Sequence, residues 1–147
     1  MWDREAETVF STRRSLQDLD DPYLVTASRV EPTPERLRAG GPVPEDIAVY
    51  GTAPEVTPYV REVTDSVVAG KTTDYDRVAA LQAFFTDSSN GFRYSEDATV
   101  PGTNAPDALE NFLRGRRGFC EQYASAMAAM VRVLGIPARV GVGFTPG

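Results

Sequence analysis

Hydrophobic positions recur at three- and four-residue steps from about residue 56 onward and show no such order before it. Val56, Tyr59, Val60, Val63, Val67 and Val68 fall on one side of a helix that advances about 100° per residue, and the run stops at Gly70, a residue suited to a C-cap. Thr73 stands three residues before Asp76, so its hydroxyl can take an orphan backbone N–H and start a second helix with Tyr75, Val78, Ala79, Leu81, Gln82 and Phe85 on one broad face. The turn chemistry of residues 87–91 ends it, and Phe92 and Tyr94 alternate with polar neighbours as a short extended piece. Asn104 can cap a third helix with apolar positions Ala108, Leu109, Phe112 and Leu113, ending at Gly115.

A fourth helix, opened by Cys120, would place Cys120, Tyr123, Ala124, Met127, Met130, Val131 and Leu134 on one side, so Cys120 is expected to face inward. Its other positions include Ser125, Ala126, Ala128 and Ala129, small enough for neighbours to approach from more than one direction, which reads as a central helix. Gly135 and Pro137 end it. Ala138, Val140, Val142 and Phe144 then alternate with Arg139, Gly141 and Gly143, predicting a strand over 138–144 whose glycine face admits a second backbone or a substrate.

The first half reads differently. Up to Pro22 no period is sustained and no firm structure is assigned; residues 23–30, rich in β-branched and aromatic side chains between two prolines, read as one strand. Prolines and glycines then dominate from Pro32 to Pro58, a connector with a short helix around Glu35 to Ala39. The organisation expected is an N-terminal appendage and linker over residues 1–45 and a core over 46–147.

Composition narrows the chemistry. With 147 residues, 41% of them hydrophobic, the chain supports one core. A net charge of −6 argues against nucleic acid or an anionic lipid surface as partner. One cysteine and no histidine leave neither a disulfide nor the usual zinc ligands, and no cofactor motif is present. No apolar run approaches the roughly 20 residues needed to span a bilayer, so this chain is not expected to insert into a membrane itself. The acidic cluster Asp18, Asp20 and Asp21 lacks the glycine turn and closing glutamate of a calcium loop and reads as a solvated face.

Cys120 is the candidate catalytic residue. The positive end of a helix stabilises a thiolate, and its unpaired N–H groups can hold a developing oxyanion; Arg114, Arg116 and Arg117 just upstream push the same way. Pattern alone favours the bland alternative, since a lone cysteine among alanines is more often core packing.

The segment RRGFCEQYASAMAAMVRVLGIPARVGVGF resembles the nucleophile segment of the transglutaminase-like superfamily, in which a Gly-x-Cys turn opens a central helix that ends in Leu-Gly-Ile-Pro-Ala-Arg and feeds a strand. The likeness covers Gly118 to Phe144 well and extends weakly upstream, through the FRYS stretch at Phe92 to Ser95, to about residue 54. It implies an α+β, papain-like cysteine proteinase fold, present here as its front helical portion plus the first sheet strand, an incomplete domain cut before the strands that carry the family's histidine and aspartate. Cys120 falls on the nucleophile's position. The form it resembles belongs to bacterial proteins whose domain lies on the extracytoplasmic face of the plasma membrane beside membrane-spanning segments of a longer parent.

Three functions are consistent with this. In the first, Cys120 of the intact domain attacks a glutamine carboxamide or peptide carbonyl of a protein or peptide substrate, forms a thioester and releases it to an amine or water. In the second, the domain is a catalytically inactive scaffold that binds extended peptides beside Gly141 and Gly143. In the third, Cys120 is core and the chain is a structural piece of a membrane-associated assembly. Lys71 is the only lysine, so the chain offers few amines for modifying itself. The expected strand over 138–144 would leave an open edge through which copies self-associate.

Overall fold

A computed structural model describes residues 2–3, 8–9, 30–97 and 105–143. Contacts divide the chain into two units, Met1–Glu31 and Pro32–Gly147. In the first, β1 (Trp2–Asp3) pairs antiparallel with β2 (Thr8–Val9), with Trp2 opposite Val9 and Asp3 opposite Thr8. This short ladder lies where the hydropathy pattern assigned no firm structure. Residues 23–29 of the expected strand lie outside the described residues, and Val30 is exposed and not in a strand.

The second unit is helical and begins upstream of the boundary expected near residue 45. Thr33 caps α1 (Pro34–Arg38), and Arg38 reaches α4 (Asp74–Thr86), where its Nε donates to Asp76 at 3.0 Å and its guanidinium lies 5.1 Å from the Tyr75 ring centre. The connector also holds α2 (Glu45–Ala48) and a 3-10 turn over Val49–Gly51, neither foreseen from its prolines.

Thr57 caps α3 (Pro58–Val67), with Pro58 at the first helical position, where a missing N–H costs nothing. Gly70 follows in the left-handed region at φ 75°. In α4, Thr73 accepts from the Asp76 N–H at 3.1 Å, and its hydroxyl donates to the Asp76 carboxylate at 2.7 Å. β3 (Arg93–Tyr94) leads on toward α5 (Ala105–Gly115); the expected cap Asn104 lies outside the described residues. β4 (Arg117–Gly118) then runs parallel to β3, Arg93 beside Arg117 and Tyr94 beside Gly118, and Cys120 is the first residue of α6 (Cys120–Val133).

The buried core is Val60, Leu81, Phe85, Phe112, Leu113, Ala126, Met130 and Val131, drawn from α3, α4, α5 and α6. Burying each of the larger aliphatic or aromatic side chains contributes about 1.5–3 kcal/mol. Thr64 is the one buried polar residue among those described, and its hydroxyl is satisfied by the Val60 carbonyl at 2.7 Å. α6 packs against α3, α4 and α5, the central position its small residues predict. The helix closes in a Schellman arrangement: the Gly135 N–H donates to the Arg132 carbonyl at 2.9 Å, the Ile136 N–H to the Val131 carbonyl at 3.2 Å, and Gly135 sits at φ 77°.

The expected strand over 138–144 is not formed within its described part, residues 138–143. Alternation alone does not make a strand; a ladder partner is needed, and this segment's ties include an Ala138 N–H to the Tyr50 carbonyl at 3.1 Å, Arg132 Nε to the Ala138 carbonyl at 2.6 Å and the Arg139 guanidinium 5.4 Å from the Tyr50 ring centre. Val142 is 94% exposed.

Candidate active site

Cys120 is exposed, not inward-facing as the helical stripe predicted. The 100° advance holds further along α6, where Met130 and Val131 on that stripe are buried, but the first residue projects beyond the elements that cover the helix's middle. The same exposure removes the reading of Cys120 as core.

The chain enters α6 through a tightly held turn. Arg116 occupies the left-handed region at φ 50°, a conformation that costs a non-glycine residue about 1–2 kcal/mol. Three contacts hold it there: its N–H donates to the Phe112 carbonyl at 2.8 Å, its guanidinium donates to the Asn90 carbonyl, and the same group lies 5.7 Å from the Phe92 ring centre. The β3–β4 ladder fixes the next residues, with the Arg93 N–H donating to the Arg116 carbonyl and the Ser95 N–H to the Gly118 carbonyl, both at 2.8 Å. Gly118 is buried; a Cβ there would stand 2.8 Å from Phe112 Cε2 and 3.1 Å from Gln122 Cβ. The glycine two residues before the cysteine is thus a close-approach glycine.

Phe119 is extended at φ −116° and is the N-cap, but a phenyl ring accepts no hydrogen bond. Gln122 compensates in part, its Oε1 accepting from the Phe119 N–H at 2.9 Å. The first amide to find a carbonyl is that of Tyr123, bonded to Phe119 at 3.3 Å. Among the described residues nothing accepts from the N–H groups of Cys120, Glu121 or Gln122. Three unengaged donors and the positive end of the α6 dipole therefore converge on the turn that carries the sulfur, the arrangement that stabilises an anion or a developing oxyanion.

Below the turn, Phe85, Phe92, Phe112 and Tyr123 form one aromatic cluster with ring centres 5.1–6.2 Å apart, and Tyr94 stacks on Tyr123 at 6.4 Å. Burial pushes the Tyr123 phenol above its ordinary value of 10.0, so it is neutral at physiological pH and no base there. Glu121 is exposed beside the sulfur's turn.

Two clefts flank α6. One, of about 340 Å³, runs along Glu121, Gln122, Ser125, Ala126 and Ala129 toward α5 and Pro54 to Val56. The other, of about 380 Å³, follows Ala124, Met127, Ala128 and Val131 beside residues 136–141. Gly141 lines the second cleft, on the side where an extended chain was expected to lie. No group of three metal-binding side chains comes together among the described residues, and none of their helices is long and apolar enough to cross a membrane.

The sequence reading identified Cys120 and its helix terminus. It missed the role of Arg93 and Ser95 as the strand that fixes the turn, and the contact that requires Gly118. The FRYS alternation was the available signal for the strand; its partner, only two residues long, had none.

The chain belongs to the transglutaminase-like superfamily, whose sequence model matches residues 61–147. It is 37% identical over 75 residues to an uncharacterised protein, YebA, of Bacillus subtilis, a match covering 50% of this chain and 10% of that protein. It is also 37% identical over 91 residues to a protein-glutamine gamma-glutamyltransferase of Pseudomonas aeruginosa, covering 61% of this chain and 13% of the other. The chain thus spans only about a tenth of the length of these relatives. No solved structure matches it significantly.

Proposed function

We propose that this domain is a cysteine acyltransferase in which the Cys120 thiolate takes an acyl group from a glutamine carboxamide of a protein or peptide. The sulfur attacks the carboxamide carbon, the C–N bond breaks and the leaving nitrogen takes up one proton to depart as ammonia, giving a thioester on Cys120; an amine or water then attacks the thioester carbon, the C–S bond breaks, one proton is released and the thiolate is restored. The observation that carries this reading is the exposed cysteine at the first position of α6, with three amides beside it that have no acceptor among the described residues. Those donors would stabilise the negative charge that develops on the carbonyl oxygen. The 37%-identical relative from Pseudomonas aeruginosa, named for γ-glutamyl transfer, supports the same chemistry. Since the 147 residues include no histidine, a histidine base for the two proton transfers is not among them. By the same resemblance the domain acts outside the cytoplasm, next to membrane segments of a longer protein.

The test uses a donor whose leaving group needs no proton. A peptide bearing a thioester in place of the glutamine carboxamide is mixed with the protein, and intact mass is followed before and after adding a primary amine. The expected result is an acyl adduct on Cys120 that the amine removes as an amide, with no adduct on Cys120→Ala. Acylation elsewhere, or an adduct the amine does not discharge, would overturn the reading.

A further inference from the structure

The parallel pairing of β3 with β4 places two arginines side by side just upstream of the nucleophile. Arg93 and Arg117 are partners in register, so both side chains leave the same face of the ribbon, and both are exposed. Like charges directly opposite one another in a ladder are destabilising. Nothing among the described residues neutralises them: neither is in an ion pair, and Glu96 and Asp97, next along the chain, bond to neither. Ser95, two residues after Arg93 and hence on the same face, accepts from Arg117 Nη2 at 2.9 Å and holds that guanidinium on the ribbon. The opposite face carries Tyr94, stacked on Tyr123, and Gly118, packed against Phe112. The ribbon therefore has an aromatic face and a cationic face, in a chain whose acidic residues outnumber its basic ones by 21 to 15.

We propose that Arg93 and Arg117 form a carboxylate-recognition pair that selects acyl-donor peptides carrying an acidic residue close to the reacting side chain. Cys120 stands three positions after Arg117, a span of at most about 10 Å in extended chain, so the acid belongs about three residues from the acyl donor on an extended peptide. Two guanidinium groups present planar donor forks to one carboxylate, and Arg117 is already oriented by Ser95, which lowers the ordering cost of the contact. The inference rests on the acyl-transfer reading for the nature of the peptide, but its electrostatic part can be measured without any chemistry.

Two thioester donor peptides are compared, identical except for Glu or Ala three residues from the acyl group, by acylation rate on the wild-type protein and by fluorescence anisotropy on Cys120→Ala. The expected preference for the Glu peptide is about tenfold at low salt, shrinking at high ionic strength. Arg93→Gln with Arg117→Gln should bring the ratio to about one, whereas Arg36→Gln on α1 should leave it intact. Circular dichroism checks that the double variant is folded, and Arg93→Gln alone, which loses no side-chain hydrogen bond, should already reduce the ratio. An unchanged ratio in these variants, or equal handling of both peptides by the wild type, overturns the proposal. Charge-selective binding without any Cys120 adduct would instead sink the acyl-transfer reading and leave the arginine pair standing.

Discussion

A methyl group added at Gly118 would meet Phe112 Cε2 at 2.8 Å and Gln122 Cβ at 3.1 Å, and neither can withdraw freely, because Phe112 is core and Gln122 holds the Phe119 amide. Gly118→Ala is therefore expected to cost about 1–3 kcal/mol as overpacking, read as a lower melting temperature, and to slow acylation of Cys120 because the turn must shift. A melting temperature equal to wild type would contradict the close-approach account. Arg116 supplies a second check. Arg116→Ala loses the hold on Asn90 and Phe92 and keeps the left-handed strain; Arg116→Gly loses the same hold but relieves it. Urea denaturation should find the glycine variant the more stable of the two by about 1 kcal/mol.

At the scale of elements, the caps were the most legible features of the sequence. Thr73 before Asp76, and Gly70 and Gly135 after their helices, stand where local chemistry requires them, because a cap is decided by neighbours a few residues away. The ladder of β3 with β4 was not legible, since its partners lie more than twenty residues apart in sequence and contribute two residues each. The strand expected over 138–144 failed for the complementary reason: the alternation was present and the partner was not. The Thr73 cap yields a test in pH. Its hydroxyl is the main cause holding the Asp76 carboxyl below its ordinary 3.8, with Arg38 adding to it. A carboxylate with a lowered folded value stabilises the fold above the unfolded value and loses that contribution as pH falls through the folded one. Thr73→Ala, which also removes the acceptor of the Asp76 N–H, should lower stability at neutral pH. By circular dichroism the gap between variant and wild type should narrow below pH 3.8; a gap that widens in acid would refute the assignment.

For the whole molecule, the sequence placed the candidate cysteine at the start of its helix and misjudged its surroundings. Periodicity placed Cys120 on the core stripe with Met130 and Val131, which is where its angle puts it, but burial depends also on position along the helix axis. Three helices cover the middle of α6 and leave its first residue to solvent. Iodoacetamide should accordingly label Cys120 in the native chain without denaturant; protection until unfolding would restore the reading of Cys120 as core. By the proposed function, the fold activates this sulfur by placing it among amides that have no acceptor among the described residues. The rate of acylation by one thioester peptide, measured on the folded protein and on an unstructured peptide with the sequence of residues 115–122 at the same pH, decides this. The folded protein is predicted to react at least about tenfold faster, and faster only while α6 is intact. Equal rates on the two would contradict it.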